Sequence, residues 1–512
     1  MGEIGTKFTQ NNKRIATNTL VLYFRMILIM LMTLYTSRVI LNTLGVEDYG
    51  IYNIVGGIVS MFAFFNSAMS NATQRFLSFD IGQSNTTNLR KTFNAAQVIH
   101  FAVALIIFAL AETVGLWFVK SYLVIPSDRM TAALWVYHFS VLSFMITVVQ
   151  VPYNAILIAH ERMKVFAYIS ILEVTFKLLI VLMLTWVSFD KLQLYGVLYF
   201  FVVLFIALIY RIYVLRQYEE TKFEIVKDSK LYHALISYSG WSLFGNIAVV
   251  AKGQGVNVLL NIFFGPIVNA AQAIATQIQG ALSSFSNNFQ MAINPQIIKS
   301  YATGDTEYMT SLVVRGAKFS FSLLFLLSLP IAMEVDQILF LWLKTVPRYT
   351  SIFTTLVLIV ILIDCVSGPL MTAVQATGKI KSYQIVVGTL QILILPISYL
   401  FFISGYAPQV TLFVTIIISI VALTFRLLFL QKLVGFPVGK FLRDVLLRNL
   451  MAVFLSLTLP LILKQLWDPS IFRLITISII SIIWASLMLY KIGLDREERG
   501  YLHNLINKIR KR

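Results

Sequence analysis

The chain predicts an all-α polytopic membrane protein of about fourteen transmembrane helices, arranged as two pseudo-symmetric six-helix bundles and two extra C-terminal helices. Three observations predict it. Hydrophobic residues make up 58% of the chain and its mean hydropathy is +0.80, too apolar for a soluble globule. Apolar runs of about 20 residues recur along it, enough for a helix to cross the hydrocarbon layer; barrel strands would be shorter and would alternate strictly. Finally, the basic residues sort by gap. Of the 41 Lys and Arg, thirty fall in the tails and the even-numbered gaps or the run ends beside them, eight in the odd-numbered gaps or the run ends beside them, and three deeper inside runs. That is the positive-inside pattern with both termini cytoplasmic.

The first run, 19–42, follows Lys13 and Arg14. It is long for a signal-peptide core and lacks a small-residue cleavage pattern, so it is read as a span. Runs 50–72 and 93–118 flank Arg75, Arg90 and Lys91, and runs 131–158 and 165–188 flank Arg162 and Lys164. Run 193–215 ends at the longest charged break, the amphipathic stretch 216–230, which closes the first bundle (1–218). The second bundle (219–434) takes 236–263, 266–290, 316–335, 350–375, 383–403 and 409–431. Runs 446–466 and 471–491 and a basic cytoplasmic tail complete the chain (435–512). The outer connections are short, the longest being 335–349, which leaves no room for an external domain.

The net charge of +18 is thus mostly a topology signal, with attraction to anionic membrane lipids added. A nucleic-acid partner would need a soluble basic domain. The single cysteine, Cys365, lies inside a run, which excludes an intrachain disulfide. There is no Walker loop, metal-ligand cluster or nucleophile elbow, so neither cofactor, metal nor catalytic residue is expected.

A shift of 219 residues lays Leu41-Asn42 on Leu260-Asn261 and run 50–72 on run 266–290. The later run carries Gln272, Thr276, Gln279, Ser283, Ser286 and Gln290 on one helical face. Matching positions are Asn53, Gly57, Ser60, Phe64, Ser67 and Asn71. Even numbers of spans per half make the repeat parallel. Amides facing lipid would be unsatisfied, so these stripes face protein or a hydrated cavity. Small Ser and Thr serve helix packing equally well. The bulkier Asn53, Asn71, Gln272, Gln279 and Gln290 read as cavity lining.

Charges inside the runs come next. Lys252 sits mid-run among Gly253, Gly255 and Asn257, where an ionised lysine costs at least ~2.5–3.5 kcal/mol. Lys177 follows Glu173 by four residues, the favourable order for a helical pair; it is either self-neutralised or a substrate contact. Arg25 and Arg38 lie toward opposite ends of the first run, where each either snorkels to headgroups or faces the interior. Asp364 is deep, and Glu112 lies in the outer part of its run. These two, with Glu173, are the candidates for ion coupling, or else partners of the bases. His100 and His138 read as satisfied core histidines.

The stretch from Arg38 to Asn53, with LGVEDYGIYN at its centre, resembles the N-terminal region of bacterial polysaccharide exporters. These are the O-antigen-type flippases of the multidrug/oligosaccharidyl-lipid/polysaccharide superfamily. Leu259 to Gly265 echoes the stretch in the second half. The resemblance implies a transporter, not an enzyme. Its cargo would be a polyprenyl-pyrophosphate-linked oligosaccharide for cell-surface polysaccharide or O-antigen synthesis, moved by alternating access across the bacterial inner membrane. It implies a cationic cavity for the pyrophosphate, with Lys252, Arg25, Arg38 and Lys177 as candidates. The Asn and Gln stripes would meet the sugar. Proton or sodium coupling and a monomer are the implied defaults. A multidrug or cation antiporter of the same superfamily and a lipid II flippase are the near alternatives. An oligosaccharide polymerase or ligase would need a large external loop.

Overall fold

The computed structural model describes residues 2–60, 62–123, 125–343, 345–495 and 498–500. Helices account for nearly all of them, and no strand occurs among the described residues. In chain order the helices are α1 (Gly2–Ser60), α2 (Ala63–Gly82), α3 (Thr86–Leu110), α4 (Leu116–Tyr122), α5 (Met130–Ala159), α6 (Met163–Met183) and α7 (Lys191–Gln217). Then follow α8 (Ser229–Phe264), α9 (Pro266–Ala302), α10 (Thr306–Met333), α11 (Val335–Leu343), α12 (Thr350–Ala376), α13 (Lys381–Ile403), α14 (Val410–Val434), α15 (Val438–Phe441), α16 (Arg448–Leu466) and α17 (Ile471–Met488). A π-helical turn, Ala111–Gly115, joins α3 to α4.

Local chemistry sets several of these boundaries. Asn85, Asp190, Asp305 and Ser470 each accept a backbone N–H of the first turn of α3, α7, α10 and α17, removing an otherwise unpaired donor. Two glycines divide long helical stretches. Gly45 breaks α1 with a φ of +81°, and Gly265 separates α8 from α9 with a φ of +78°, conformations that side chains with a Cβ rarely adopt. The two glycines are 220 positions apart, one residue off the 219-residue shift. At the second break an amide ladder holds the turn: Asn261 donates to Asn269 at 3.0 Å, and Asn269 donates to the Asn257 carbonyl at 2.7 Å.

Twelve helices among the described residues are long and apolar enough to cross a membrane, against the fourteen expected. The protein is thus a multi-pass membrane protein. The two expected spans missing from the twelve are 50–72 and 266–290. The first is divided between the end of α1 and the start of α2. The second lies in α9, 37 residues long, whose Gln, Asn and Ser stripe lowers its hydropathy.

By packing, the chain forms two compact units: 1–247 with 301–304, and 248–300 with 305–512. The seam falls within α8. In the first unit α5 is central, contacting α1, α2, α3 and α7, and Val136, Tyr137, Ile156 and Leu157 are completely buried. In the second unit α12 packs between α10 and α14, and α13 lies on α14. The last two helices, α16 and α17, pair with each other and rest on α10. They are fastened at both ends. At one end Arg473 donates to Glu334 at 2.9 Å and the Lys464 ammonium donates to the Met333 carbonyl. At the other end, buried Lys318 meets Glu498 at 2.8 Å.

Candidate functional site

In the first unit the charges gather between α1, α6 and α7. Glu173 and Lys177, one turn apart on α6, pair at 2.6 Å. The Lys177 ammonium sits 4.8 Å from the centre of the Tyr199 ring on α7. One turn earlier Tyr195 meets Tyr52 edge-on at 5.0 Å, giving the lysine an aromatic wall. Arg25 turns inward to stack over Phe166 at 4.6 Å, within electrostatic reach of Glu173 and Tyr210. Its Nε is buried without a hydrogen-bond partner. One carboxylate therefore faces two cations.

In the second unit Lys252 on α8 lies within electrostatic reach of Asp364 on α12 and Arg426 on α14. Arg426 is buried, donating from Nε to the Tyr383 hydroxyl at 3.2 Å and from Nη1 to Ser367 at 3.1 Å. Lys318 on α10 is likewise buried. Both fall inside predicted apolar runs, 316–335 and 409–431, and are enclosed within α10 and α14. Here too one carboxylate stands among two cations.

The polar stripe of α9 divides. Gln290 points into the protein, its amide reaching Ser286 at 3.1 Å, Ser320 at 3.3 Å and the Cys365 carbonyl at 3.0 Å. Gln272, Thr276 and Gln279 bond only along their own helix or remain half-buried. Asn71 on α2 is exposed. The side chains of Arg38 and Asn53 lie outside the described residues. Cys365 is buried as a free thiol.

Glu112 occupies the π-helical turn, where its carboxylate meets His138 of α5 at 3.0 Å. The sequence reading took His138 as an isolated core histidine; it is half-exposed and paired. In the same unit, just before α5, Arg129 bridges two acids. It donates from Nε to Asp48 at 2.8 Å and from Nη1 to Asp190 at 2.6 Å. Burial alone would raise the Asp190 carboxyl, but Arg129 and the N–H groups of Gln193 and Leu192 hold it below the usual carboxylate range. The same bonds raise the Arg129 guanidinium further. Asp48 belongs to the LGVEDYG stretch, so that motif pins the chain just after the Gly45 break. On α2 of the same unit, burial pushes the Asp80 carboxyl up against the opposing effects of Thr92 and Arg75. Arg75 itself is clamped over the Phe76 and Phe79 rings at 4.7 and 4.8 Å. Among the described residues no three His, Cys, Asp or Glu side chains gather as metal ligands.

The MatE family model matches residues 22–184, which run from within α1 to the end of α6. The fold as a whole is similar to that of solved MATE transporters. An outward-facing multidrug resistance MATE transporter superposes with a TM-score of 0.72 at 11% identity, covering 83% of this chain and 97% of its own. A MOP superfamily transporter from Pyrococcus furiosus, described as having a binding pocket of reverse polarity, gives 0.69 at 12%, covering 83% and 96%. The MATE transporter ClbM in complex with Rb+ gives 0.67 at 15%, covering 80% and 94%. These likenesses define the fold class. A search of curated proteins gives no match.

Proposed function

We propose that this chain is a flippase that exports polyprenyl-pyrophosphate-linked oligosaccharide by alternating access, working as a monomer in a bacterial cytoplasmic membrane with both termini cytoplasmic. The observation that carries the reading is the charge arithmetic of the two interiors. Arg25 and Lys177 stand against Glu173 in one unit, and Lys252 and Arg426 against Asp364 in the other. Each unit keeps a surplus cation where ionised groups are costly. A pyrophosphate head would offset that surplus. Lys252, Arg25 and Lys177, with Arg38, are the groups assigned to it. Gln272, Gln279, Asn71 and Asn53 are assigned to sugar hydroxyls, whereas Gln290 is a brace and only borders that surface.

Fold likeness to multidrug transporters favours a second reading, a multidrug or cation antiporter. A cationic cargo would seek an interior with surplus carboxylate, whereas each interior cluster sets two cations against one acid. We assign Glu173, Asp364 and Glu112 instead to proton or sodium coupling. A lipid II flippase would carry cargo of the same anionic class, and the sugar distinguishes it.

The test is transport by the protein in proteoliposomes. A short-chain polyprenyl-pyrophosphate oligosaccharide crosses the bilayer under this reading, while a cationic dye is not extruded. Dye efflux without movement of the sugar lipid would establish the antiporter instead.

A further inference from the structure

The connection between α7 and α8 is an extended strap, 222–228, following a short turn at Glu219–Thr221. Asn94, buried on α3, holds it. Its Nδ2 donates to the Lys222 carbonyl and its Oδ1 accepts from the Glu224 N–H, each at 3.1 Å. These bonds grip the backbone on either side of Phe223. Arg90, one helical turn before Asn94, takes the Glu224 carboxylate at 2.8 Å. Side chains alternate along extended backbone, so Phe223 and Ile225 share one face. They are 73% and 74% exposed.

Single exposed hydrophobics need no explanation. Two on one face of a firmly held strap between membrane-crossing helices do. The strap joins Gln217 to Ser229, the ends of two such helices, so its short length keeps it beside the bilayer surface. Its acids are engaged: Glu220 bonds His160 at 2.8 Å, Glu219 meets Lys222 at 3.2 Å, and Asp228 caps the first turn of α8. Arg216, Lys227 and Lys230 stand exposed around them. Apolar side chains ringed by exposed bases match a lipid surface bearing anionic headgroups.

We propose that the strap is an interfacial anchor, with Phe223 and Ile225 inserted at the headgroup–acyl boundary and Arg216, Lys227 and Lys230 engaging anionic headgroups. It fixes the height of the α7–α8 junction in the membrane. The sole cysteine makes the test direct. In Cys365→Ser and, separately, Cys365→Ala backgrounds, nitroxide labels are placed by Phe223→Cys or Ile225→Cys. The full chain is then reconstituted in vesicles containing phosphatidylglycerol. Collision with oxygen, which partitions into lipid, and with a water-soluble nickel chelate gives each label's depth. A label at Glu219, 92% exposed, sets the aqueous reference. One at Phe205, exposed on α7, sets the lipid reference and checks folding. The anchor predicts oxygen-dominated collision at 223 and 225, shallower than at 205, and a shift toward water in phosphatidylcholine alone. Water-like collision equal to Glu219 would overturn it, as would shielding from both agents, which means a protein cover. Depth unchanged in phosphatidylcholine would overturn the role given to the bases.

Discussion

Lys318 and Glu498 are 180 residues apart in sequence, yet their side chains meet at 2.8 and 3.0 Å in full burial. Glu498 in turn forms a reciprocal capping box with Asp495: the Glu498 N–H donates to the Asp495 carboxylate at 2.8 Å, and the Asp495 N–H donates back at 2.9 Å. A lysine within α10 therefore anchors the segment that follows the last helix. That is why α16 and α17, which stand outside the internal repeat, pack as part of the second unit.

Breaking that pair from one side leaves the buried Lys318 ammonium with only the more exposed Asp495 carboxylate, 3.6 Å away. Glu498→Ala is expected to destabilise the protein by about 3–5 kcal/mol, read as a drop in the thermal midpoint in detergent. The double variant Lys318→Met with Glu498→Leu is expected to recover most of the loss. Equal losses in the single and double variants would sink the ion-pair account.

Asp190 ties the fold to pH in the first unit. Its folded pKa is below its unfolded one, so its contribution is present above the ordinary carboxylate value of ~3.9 and is lost as pH falls through the folded value. Arg129→Ala, which removes the bridge to Asp48 and Asp190, is expected to cost about 1–2 kcal/mol at neutral pH. It should also flatten the acid limb below about pH 4. An unchanged stability–pH curve would show that the bridge contributes nothing.

For Asp80 the sign is opposite. Burial raises its pKa, so ionisation destabilises the fold above the ordinary value and the penalty disappears in acid. Asp80→Asn keeps an acceptor for Thr92, which donates at 2.6 Å. It is expected to raise the midpoint at neutral pH, with the gain shrinking as pH falls toward ~3.9. A loss at neutral pH would mean that the attraction of Arg75 outweighs burial.

Gly368 leaves room for the brace. A Cβ there would lie 2.1 Å from the Gln290 amide oxygen, so Gly368→Ala must displace that side chain from Ser320 and the Cys365 carbonyl. The expected cost is about 1–3 kcal/mol, relieved by adding Gln290→Ala. Gly368→Ala with wild-type stability would show that the amide can swing away freely.

What the sequence could disclose was whatever is local along the chain. Glu173 and Lys177 are one helical turn apart, so spacing alone announced their pair. All fourteen spans read as apolar runs; the two absent from the twelve membrane-crossing helices are 50–72, divided between α1 and α2, and 266–290, where the polar stripe of α9 lowers the hydropathy. Contacts between distant positions were silent. Arg129 meets Asp48 across 81 residues and Arg426 reaches Ser367 across 59, and neither spacing carries a periodicity. Arg426 had one usable signal, its place between Phe425 and Leu427 inside an apolar run. His138 was missed because Glu112 lies on another helix.

The claim that the surplus cations receive an anionic lipid head is tested most directly by measuring flipping of polyprenyl-pyrophosphate oligosaccharide in proteoliposomes by wild type, Lys252→Gln and Gln279→Ala. The account predicts that Lys252→Gln loses at least about 1.5–3 kcal/mol of charge-assisted binding, a drop in rate of at least about tenfold at subsaturating cargo, with Gln279→Ala losing less. Wild-type flipping by Lys252→Gln would contradict it.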